Sequence, residues 1–343
     1  MHRRYAQRRV KLSTYRGRQA ATIENDRLRV TVMQEGGHIA AITHLASGVN
    51  PLWTPPWPSI EPSTYDPAKH PEYGGNSESK LLTGIMGHNL CLDLFGAPSL
   101  EEAAAGISVH GEANVVRHTF GETASGMTAS CRMPGAQLDF SRRLTLNGDT
   151  LSFEETVTNL APSDRPVAWT QHVTLGPPFI ERGVTKFEMP GTRCRTFESD
   201  FTDGKGKMAI GKDFDWPNMP GVDGKTHDLT TYWRDEVAAG FATVLMDPHR
   251  EEAYFHASAQ GLTLTYRWKR SDFPWLGIWD ECHARTAPPW NGRTITRGLE
   301  FGASPFPESR RAMIDRKELF GVPGYRWIPA KTAVTVRYSA TLR

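Results

Sequence analysis

Hydrophobic and polar residues alternate along most of the chain in short runs that turn signals interrupt. Residues 27–33 alternate with a period of two, and a glycine pair separates them from a second run at 38–44. Asn147-Gly148 stands between two further alternating runs, which is the strongest short-range signal for a β-hairpin. The turn signal at 259–261 predicts a second hairpin. This pattern is typical of a protein built mainly from antiparallel strands.

Strand-type runs recur as far as the C-terminus, whereas helical signals are few and short. A capping box beginning at Ser99 predicts a helix over 99–105, and residues 308–319 predict another of two or three turns. Strands do not alternate with helices, so we expect an all-β fold with few short helices, arranged as a large antiparallel sandwich. The further strand-type runs are residues 128–133, 167–175, 241–246, 253–257, 262–268, 275–280, 294–301 and 334–342.

Two long loop-like stretches, residues 50–80 and 200–231, interrupt the strand pattern. Loops of this length are more often functional rims than linkers. No internal repeat or shift in composition marks a domain boundary. We therefore expect a basic N-terminal tail over 1–18, which contains seven Lys and Arg residues, and a single domain over 19–343.

Charge, apolar runs and cysteine spacing together limit the classes of partner and the cellular location that we expect. The chain has 40 Lys and Arg against 38 Asp and Glu, a net charge of +2, which is too even for a nucleic-acid-binding protein. No apolar run approaches the ~20 residues of a membrane span, and no apolar segment follows the basic start as in a signal peptide. The four cysteines form no CxxC pair. We expect reduced thiols, a cytoplasmic location and no membrane or nucleic-acid partner.

The candidate chemistry lies in three segments that place ionisable groups in apolar or glycine-rich strand contexts. They contain His110 and Glu112 around Gly111, His172, and Glu300. Alternation would point His110 and Glu112 to the same face of a strand. Buried imidazoles and carboxylates need partners or a pocket. A satisfied core histidine, and for Glu300 a buried ion pair with an arginine such as Arg297, are the structural alternatives.

These segments resemble the aldose 1-epimerases, the galactose mutarotase-like proteins. The resemblance rests on His110-Gly111, on Gln171-His172 in a later strand and on Leu299-Glu300 near the C-terminus, in that order. The opening strands at 28–42 and the stretch at 48–53 are also similar to the start of that family. The resemblance spans about residues 20–343 and implies a β-supersandwich with an open cleft across one sheet.

The resemblance also implies a mechanism and assigns its parts by position. Glu300 would be the general base that removes the proton of the anomeric hydroxyl, and His172 the general acid that protonates the ring oxygen. His110 would bind the sugar and assist at that oxygen. The opened aldehyde would rotate and reclose on its other face.

Five further residues are candidate sugar ligands. Asp280 could bind hydroxyl groups and Trp279 could provide a stacking surface, although an Asp at a strand end is also common. His88 and Asn89 lie where the family carries an Arg-bearing motif, so His88 replaces that arginine, and Gln171 precedes the general acid. These departures leave the identity of the sugar open.

Two alternatives to an anomer-interconverting isomerase remain at this stage. His110, Glu112, His172 and Glu300 are two imidazoles and two carboxylates, a set suited to a divalent metal such as Zn²⁺ or Mn²⁺ in a sugar lyase or isomerase. A non-catalytic carbohydrate-binding protein is the other. The mutarotase mechanism needs no cofactor, and its only expected partner is a small carbohydrate.

Overall fold

The computed structural model describes residues 10–343, most of which lie in two large antiparallel sheets. Within these residues the helices are short: α1 (Ser79–Leu82), α2 (Leu100–Ala104), α3 (Arg310–Arg316) and two 3-10 turns, Pro62–Thr64 and Pro71–Tyr73. The strands, in chain order, are β1 (Lys11–Tyr15), β2 (Arg18–Glu24), β3 (Leu28–Met33), β4 (Ile39–His44), β5 (His88–Asp93), β6 (Thr119–Thr123), β7 (Gly126–Met133), β8 (Leu138–Asn147), β9 (Thr150–Asn159), β10 (Arg165–Leu175), β11 (Lys186–Glu188), β12 (Gly191–Thr196), β13 (Asp213–Asp215), β14 (Asn218–Pro220), β15 (Thr226–Asp228), β16 (Ala238–Met246), β17 (Glu252–Ala259), β18 (Leu262–Lys269), β19 (Trp275–Cys282), β20 (Ile295–Gly302), β21 (Glu318–Leu319), β22 (Val322–Pro323), β23 (Arg326–Ile328) and β24 (Ala333–Leu342).

The larger sheet has the strand order β1-β2-β3-β4-β5-β10-β20-β19-β16-β12-β13, with β23 also paired to β10. The smaller sheet has the order β11-β17-β18-β24-β9-β8-β7-β6. Two short ribbons, β14-β15 and β21-β22, lie outside both sheets. The expected all-β fold with large antiparallel sheets and few short helices is confirmed.

The two sheets differ in how they are buried. Strands of the smaller sheet, such as β8 and β17, alternate between buried and more exposed positions, because one face packs on the core and the other faces water. Strands β5 and β16 of the larger sheet are buried at every position. Their inner face packs on the smaller sheet, and their outer face is covered by two separate hydrophobic clusters formed largely by connecting segments. The larger sheet is therefore buried on both faces, by the core between the sheets on its inner face and by the two further clusters on its outer face.

The local turn and cap predictions match the structure. Asn147-Gly148 lies in the turn between β8 and β9, and residues 259–261 form the turn between β17 and β18. The Ser99 capping box closes the N-terminus of α2. The second predicted helix is shorter than expected, because the chain adopts φ 60° at Lys317 and continues into β21. Within residues 10–343, no helix is long and apolar enough to cross a membrane.

The predicted tail boundary at residue 18 is too late. Residues 1–9 lie outside the described residues, but Lys11–Tyr15 forms an edge strand that pairs with β2. Arg18 is buried and donates hydrogen bonds to the carbonyl oxygens of Gly84 (2.6 Å) and Glu35 (2.9 Å) and to the carboxylate of Glu61 (3.1 Å). Its charge has partners inside the protein, so it belongs to the domain and not to a solvated tail.

Candidate active site

The central feature is a cross-strand pair on the outer face of the larger sheet. Strands β10 and β20 are neighbours, and their register places His172 directly opposite Glu300. Nε2 of His172 lies 3.0 Å from Oε1 of Glu300, and both side chains are almost fully buried. An acid–base pair separated by 128 positions in the sequence is thus assembled by strand pairing alone.

Small residues beside Glu300 make room for its carboxyl group. Gly298 lies two residues before it on the same face, and Gly277 is its partner on β19. A Cβ atom at Gly298 would lie 2.5 Å from Oε1 of Glu300. Side chains at this position would collide with the carboxyl group, so the glycine-rich strand is a requirement of the site.

His110 reaches the pair from a tight turn, not from a strand. His110 and Gly111 have φ angles of 66° and 84°, and a Cβ atom at Gly111 would lie 2.0 Å from the carbonyl oxygen of Leu92. The Nδ1–H group of His110 donates to the carbonyl oxygen of Phe95 at 2.5 Å. Nε2 of His110 takes no part in the hydrogen bond to Phe95. The His110 ring centroid lies 5.2 Å from that of His172.

These three residues line a cavity of about 280 Å³. One wall belongs to the first outer cluster and contains Leu81, Leu82, Ile85, Val109 and Trp290. Another part of the wall belongs to the second cluster and contains Phe241, with Phe197 and Phe201 packed against it. Trp279 packs against both clusters, and its ring lies 5.8 Å from that of His172.

A salt bridge joins two loops beside this cavity. Nη2 of Arg285 lies 2.6 Å from Oε2 of Glu78, and both residues line the cavity while keeping part of their surface in water. The Arg285 guanidinium also lies over the Trp290 ring, 4.3 Å from its centroid. The only Arg or Lys side chain in the cavity wall is therefore already paired, as far as the described residues show.

Burial favours the uncharged forms of the three ionisable groups. It raises the pKa of Glu300 well above its ordinary value. It lowers the pKa of His172 well below the ordinary value, and the neighbouring His110 lowers it further. Burial also lowers the pKa of His110, although the Phe95 carbonyl group opposes that shift. Both Glu300 and His172 are therefore neutral over a wider pH range than they would be in water.

Two polar atoms in the cavity wall have no hydrogen-bond partner within the described part of the chain. Oε1 of Glu300 is near His172, but the geometry is not that of a hydrogen bond. Nε1 of Trp290 is also buried and unpaired. Nδ1 of His172, in contrast, lies 2.9 Å from the hydroxyl oxygen of Thr174. Buried polar atoms without partners are costly, and both of these belong to residues that line the cavity.

The predicted ligand residues divide between the two faces of the larger sheet. Trp279 lines the cavity. Asn89 pairs with His172 across β5 and β10 and therefore shares its face, but it does not line the cavity, and its buried amide atoms have no partner among residues 10–343. His88, Gln171 and Asp280 point to the opposite, inner face.

The assignment of these last three residues as sugar ligands is corrected by their contacts. The His88 ring lies 3.0 Å from Oε1 of Gln171, inside the core between the sheets. Asp280 accepts two hydrogen bonds from Arg297, at 2.7 and 2.8 Å, and one from Trp233. Adjacent strand residues point to opposite faces, so none of the three reaches the cavity.

The four residues of the alternative metal site do not come together in the structure. The turn at His110 and Gly111 breaks the expected alternation, so Glu112 does not share the face of His110. Its carboxylate accepts hydrogen bonds from the backbone N–H groups of Gly135 (3.2 Å) and Ala136 (2.7 Å). Within residues 10–343, no group of three or more His, Cys, Asp or Glu side chains is arranged to hold a metal ion.

Sequence reasoning missed most of the cavity wall. Phe197, Phe201 and Phe241 are apolar residues that no motif distinguishes from core residues. Trp290 follows a Pro-Pro pair outside the strand-type runs and belongs to none of the three candidate segments. The long loop at 50–80 did give a usable signal, since a functional rim was expected there and its end contributes Glu78 to the cavity.

Comparison with solved structures identifies the fold. A provisionally assigned aldose 1-epimerase of Klebsiella pneumoniae is 15% identical to this chain with a TM-score of 0.68, covering 98% of this chain and 82% of its own. A galactose mutarotase-like protein of Clostridium acetobutylicum is 12% identical with a TM-score of 0.63, covering 98% and 99%. A galactose mutarotase-related enzyme of Lactobacillus acidophilus is 12% identical with a TM-score of 0.59, covering 94% and 97%. No family model and no curated relative matches the sequence. At these identities the likeness concerns the fold, and the chain has the galactose mutarotase-like fold over nearly its full length.

Proposed function

We propose that this protein interconverts the anomers of a sugar by acid–base ring opening and reclosure, as an aldose 1-epimerase-like isomerase. The observation that carries the proposal is the opposed His172–Glu300 pair, buried at the wall of a cavity with one carboxylate oxygen unpaired. The fold shared with provisionally assigned aldose 1-epimerases supports it. No metal or other cofactor enters the proposed reaction.

The mechanism uses the two oxygens bonded to the anomeric carbon. The Glu300 carboxylate accepts the proton of the anomeric hydroxyl while His172 donates a proton to the ring oxygen, and the bond between C1 and that oxygen breaks. The aldehyde group rotates, and the ring oxygen attacks its other face. His172 then takes back the ring-oxygen proton and Glu300 returns its proton to O1. The enzyme therefore recovers its starting protonation without consuming a proton.

The separation of the pair suits this exchange. The carboxylate–imidazolium form and the uncharged form of Glu300 and His172 contain the same number of protons, and their nearest atoms lie 3.0 Å apart, so a small reorientation that aligns them lets one proton transfer interconvert the two forms. The Thr174 hydroxyl group can donate to or accept from Nδ1 of His172, and can therefore stabilise either form. General acid–base catalysis of this kind contributes ~10²–10⁴-fold per group.

His110 has a different role in this proposal. Its Nδ1–H group is held by the Phe95 carbonyl oxygen, which leaves Nε2 of the uncharged ring as an acceptor. It can accept a hydrogen bond from a sugar hydroxyl group beside His172. This positions the sugar without supplying the proton that the ring oxygen requires.

The test is anomeric exchange measured by NMR across a panel of aldoses, uronic acids and sugar phosphates, with and without EDTA. We expect exchange that resists EDTA and falls at least ~100-fold in Glu300→Gln, while circular dichroism shows an intact fold. Near-normal exchange in that variant would refute the assignment of Glu300. Sugar binding without exchange would favour the carbohydrate-binding alternative.

A further inference from the structure

The cavity beside the proposed acid–base pair is unusually poor in hydrogen-bonding groups for a site that would hold a polyhydroxylated sugar. Much of its lining consists of two groups, the aliphatic side chains with Trp290 (the aliphatic wall) and three phenylalanines (the phenylalanine wall). The phenylalanine rings pack on one another, with centroids 6.0 Å apart for Phe197 and Phe241 and 5.9 Å for Phe197 and Phe201. A substrate in this cavity meets carbon on most of its surface.

The polar groups that remain are nearly all committed. In the proposed mechanism, Glu300 and His172 serve the two oxygens of the anomeric carbon, and His110 serves a neighbouring hydroxyl group. Beyond them, Ser77 adds one exposed hydroxyl group, and Nε1 of Trp290 is buried and unpaired within the described part of the chain. Arg285 and Glu78 already satisfy each other at 2.6 Å.

A fully hydroxylated aldohexose would therefore bind poorly. Each ring hydroxyl group enclosed by Leu, Ile or Phe side chains loses its hydrogen bonds to water and gains none from the protein. An apolar group at the same place would instead be stabilised by its contact area with the walls. Enclosing a hydroxyl group here weakens binding, whereas enclosing an apolar group strengthens it. The cavity therefore selects among sugars by the polarity of their substituents.

We infer that the substrate is an aldose with an apolar substituent on a ring carbon away from the anomeric centre, a deoxy carbon or an ether-linked alkyl or aryl group. This inference rests on the proposed function for the orientation of the sugar, with its anomeric carbon at His172 and Glu300. The apolar substituent lies against the phenylalanine wall or the aliphatic wall. Free hydroxyl groups lie near His110, Ser77 and the ion pair.

The first experiment separates binding from catalysis. Non-reducing 1,5-anhydroglucitol and its 3-, 4- and 6-deoxy and O-benzyl derivatives cannot open their rings, so calorimetry measures binding alone. We expect at least one derivative to bind at least ~10-fold more tightly than the parent, which corresponds to about 1.4 kcal/mol. Binding of every derivative equal to or weaker than that of the parent would overturn the inference.

The second experiment repeats the comparison with the matching reducing sugars by anomeric-exchange NMR. Preferred binding without exchange would leave the substrate class standing and refute the proposed reaction. Exchange of glucose with no preference for its deoxy or benzyl derivatives would support the proposed reaction and refute the substrate class. The two proposals can therefore fail independently.

A pair of variants tests the wall itself. Phe197→Asn adds hydrogen-bonding groups to the phenylalanine wall, whereas Phe197→Leu keeps the wall apolar and loses a similar amount of aromatic contact. If the substituent lies there, the binding ratio of the preferred derivative to the parent falls ~10-fold in the Asn variant and stays within ~3-fold in the Leu variant. An unchanged ratio in both assigns the substituent to the aliphatic wall, where Leu82→Asn and Leu82→Met repeat the test. Unchanged ratios in all four variants would contradict the inference.

Discussion

Two buried glutamates on opposite sides of the larger sheet show how one residue type serves two purposes. Glu155, between the sheets, accepts hydrogen bonds from Arg142 (2.7 Å), Tyr338 (2.6 Å), Trp169 (3.1 Å) and Gln171 (2.6 Å). Glu300, on the outer face, has an Oε1 atom with no such bond among the described residues. Burial is therefore common to both glutamates, and the unpaired oxygen beside the cavity is what distinguishes Glu300 as the candidate functional carboxylate.

The same contrast separates two histidines on neighbouring strands. His88 on β5 lies in the inner network, 3.1 Å from the Tyr266 hydroxyl oxygen and 3.0 Å from Oε1 of Gln171. His172 on β10 lies in the cavity wall against Glu300. The inner residues hydrogen-bond to one another, whereas the outer pair lines a cavity. We expect substitutions in the first to change stability and substitutions in the second to change chemistry.

The largest effect on stability is expected for Glu155→Gln. This change removes the charge that neutralises Arg142, which is also fully buried, and breaking a buried pair costs about 3 to 5 kcal/mol. Glu154→Gln is the matched control, because Glu154 is the neighbouring residue on the outer surface of the smaller sheet and pairs with Arg337 in contact with water. That control loses less than ~1 kcal/mol.

Urea-induced unfolding followed by circular dichroism measures both variants. Anomeric exchange per folded molecule is expected to stay close to the wild-type value in each of them. A Glu155→Gln variant of normal stability, or one that folds normally and has lost exchange, would contradict the division of roles between the two faces.

Pairs of consecutive residues explain how much of the site the sequence could predict. His88-Asn89, Gln171-His172 and Trp279-Asp280 were each predicted as site residues in both members, yet only one member of each pair can face outward. A strand with one face in water identifies its inward residues by alternation. Strand β5 is buried on both faces, so its pattern carries no such information.

The sequence predicted the strand-rich fold, the hairpin at Asn147-Gly148 and the Ser99 capping box, because each depends on neighbouring residues. It also suggested His172 and Glu300, and their contact required the register of β10 and β20. The cavity walls could not be predicted, since they depend on which loops cover the outer face. Arg18 was misassigned for the same reason, as its partners lie at 35, 61 and 84.

An effect of intermediate size is expected in the pH dependence of the free energy of unfolding, which tests the contrast between Glu300 and Glu155. Burial raises the pKa of Glu300 from the ordinary 4.5, so the folded state favours the protonated carboxyl group. That contribution is fully present below the unfolded-state pKa and is lost as the pH rises through the folded-state value. Glu300→Gln cannot ionise and escapes this loss. We expect it to exceed the wild type in stability by about 1 kcal/mol at pH 8, with the difference vanishing towards pH 4.

Denaturant titrations of wild type and Glu300→Gln at intervals between pH 4 and pH 8 measure this difference. A variant that is less stable than the wild type across the whole range would mean that Glu300 makes stabilising interactions like those of Glu155. The outer face would then be a second structural network, and the argument for a ligand site would fail.

The smallest effect is expected for the ion pair between Glu78 and Arg285 beside the cavity. Both side chains remain partly in water, with exposed fractions of 32% and 24%, so their coupling free energy is below ~1 kcal/mol and decreases in high salt. A double-mutant cycle of Glu78→Gln and Arg285→Gln, measured by urea unfolding at low and high salt, gives this value. Coupling above ~2 kcal/mol that is insensitive to salt would mean that the two loops are fixed as firmly as the inner network. A weak pair instead allows the two loops to separate at little cost in free energy.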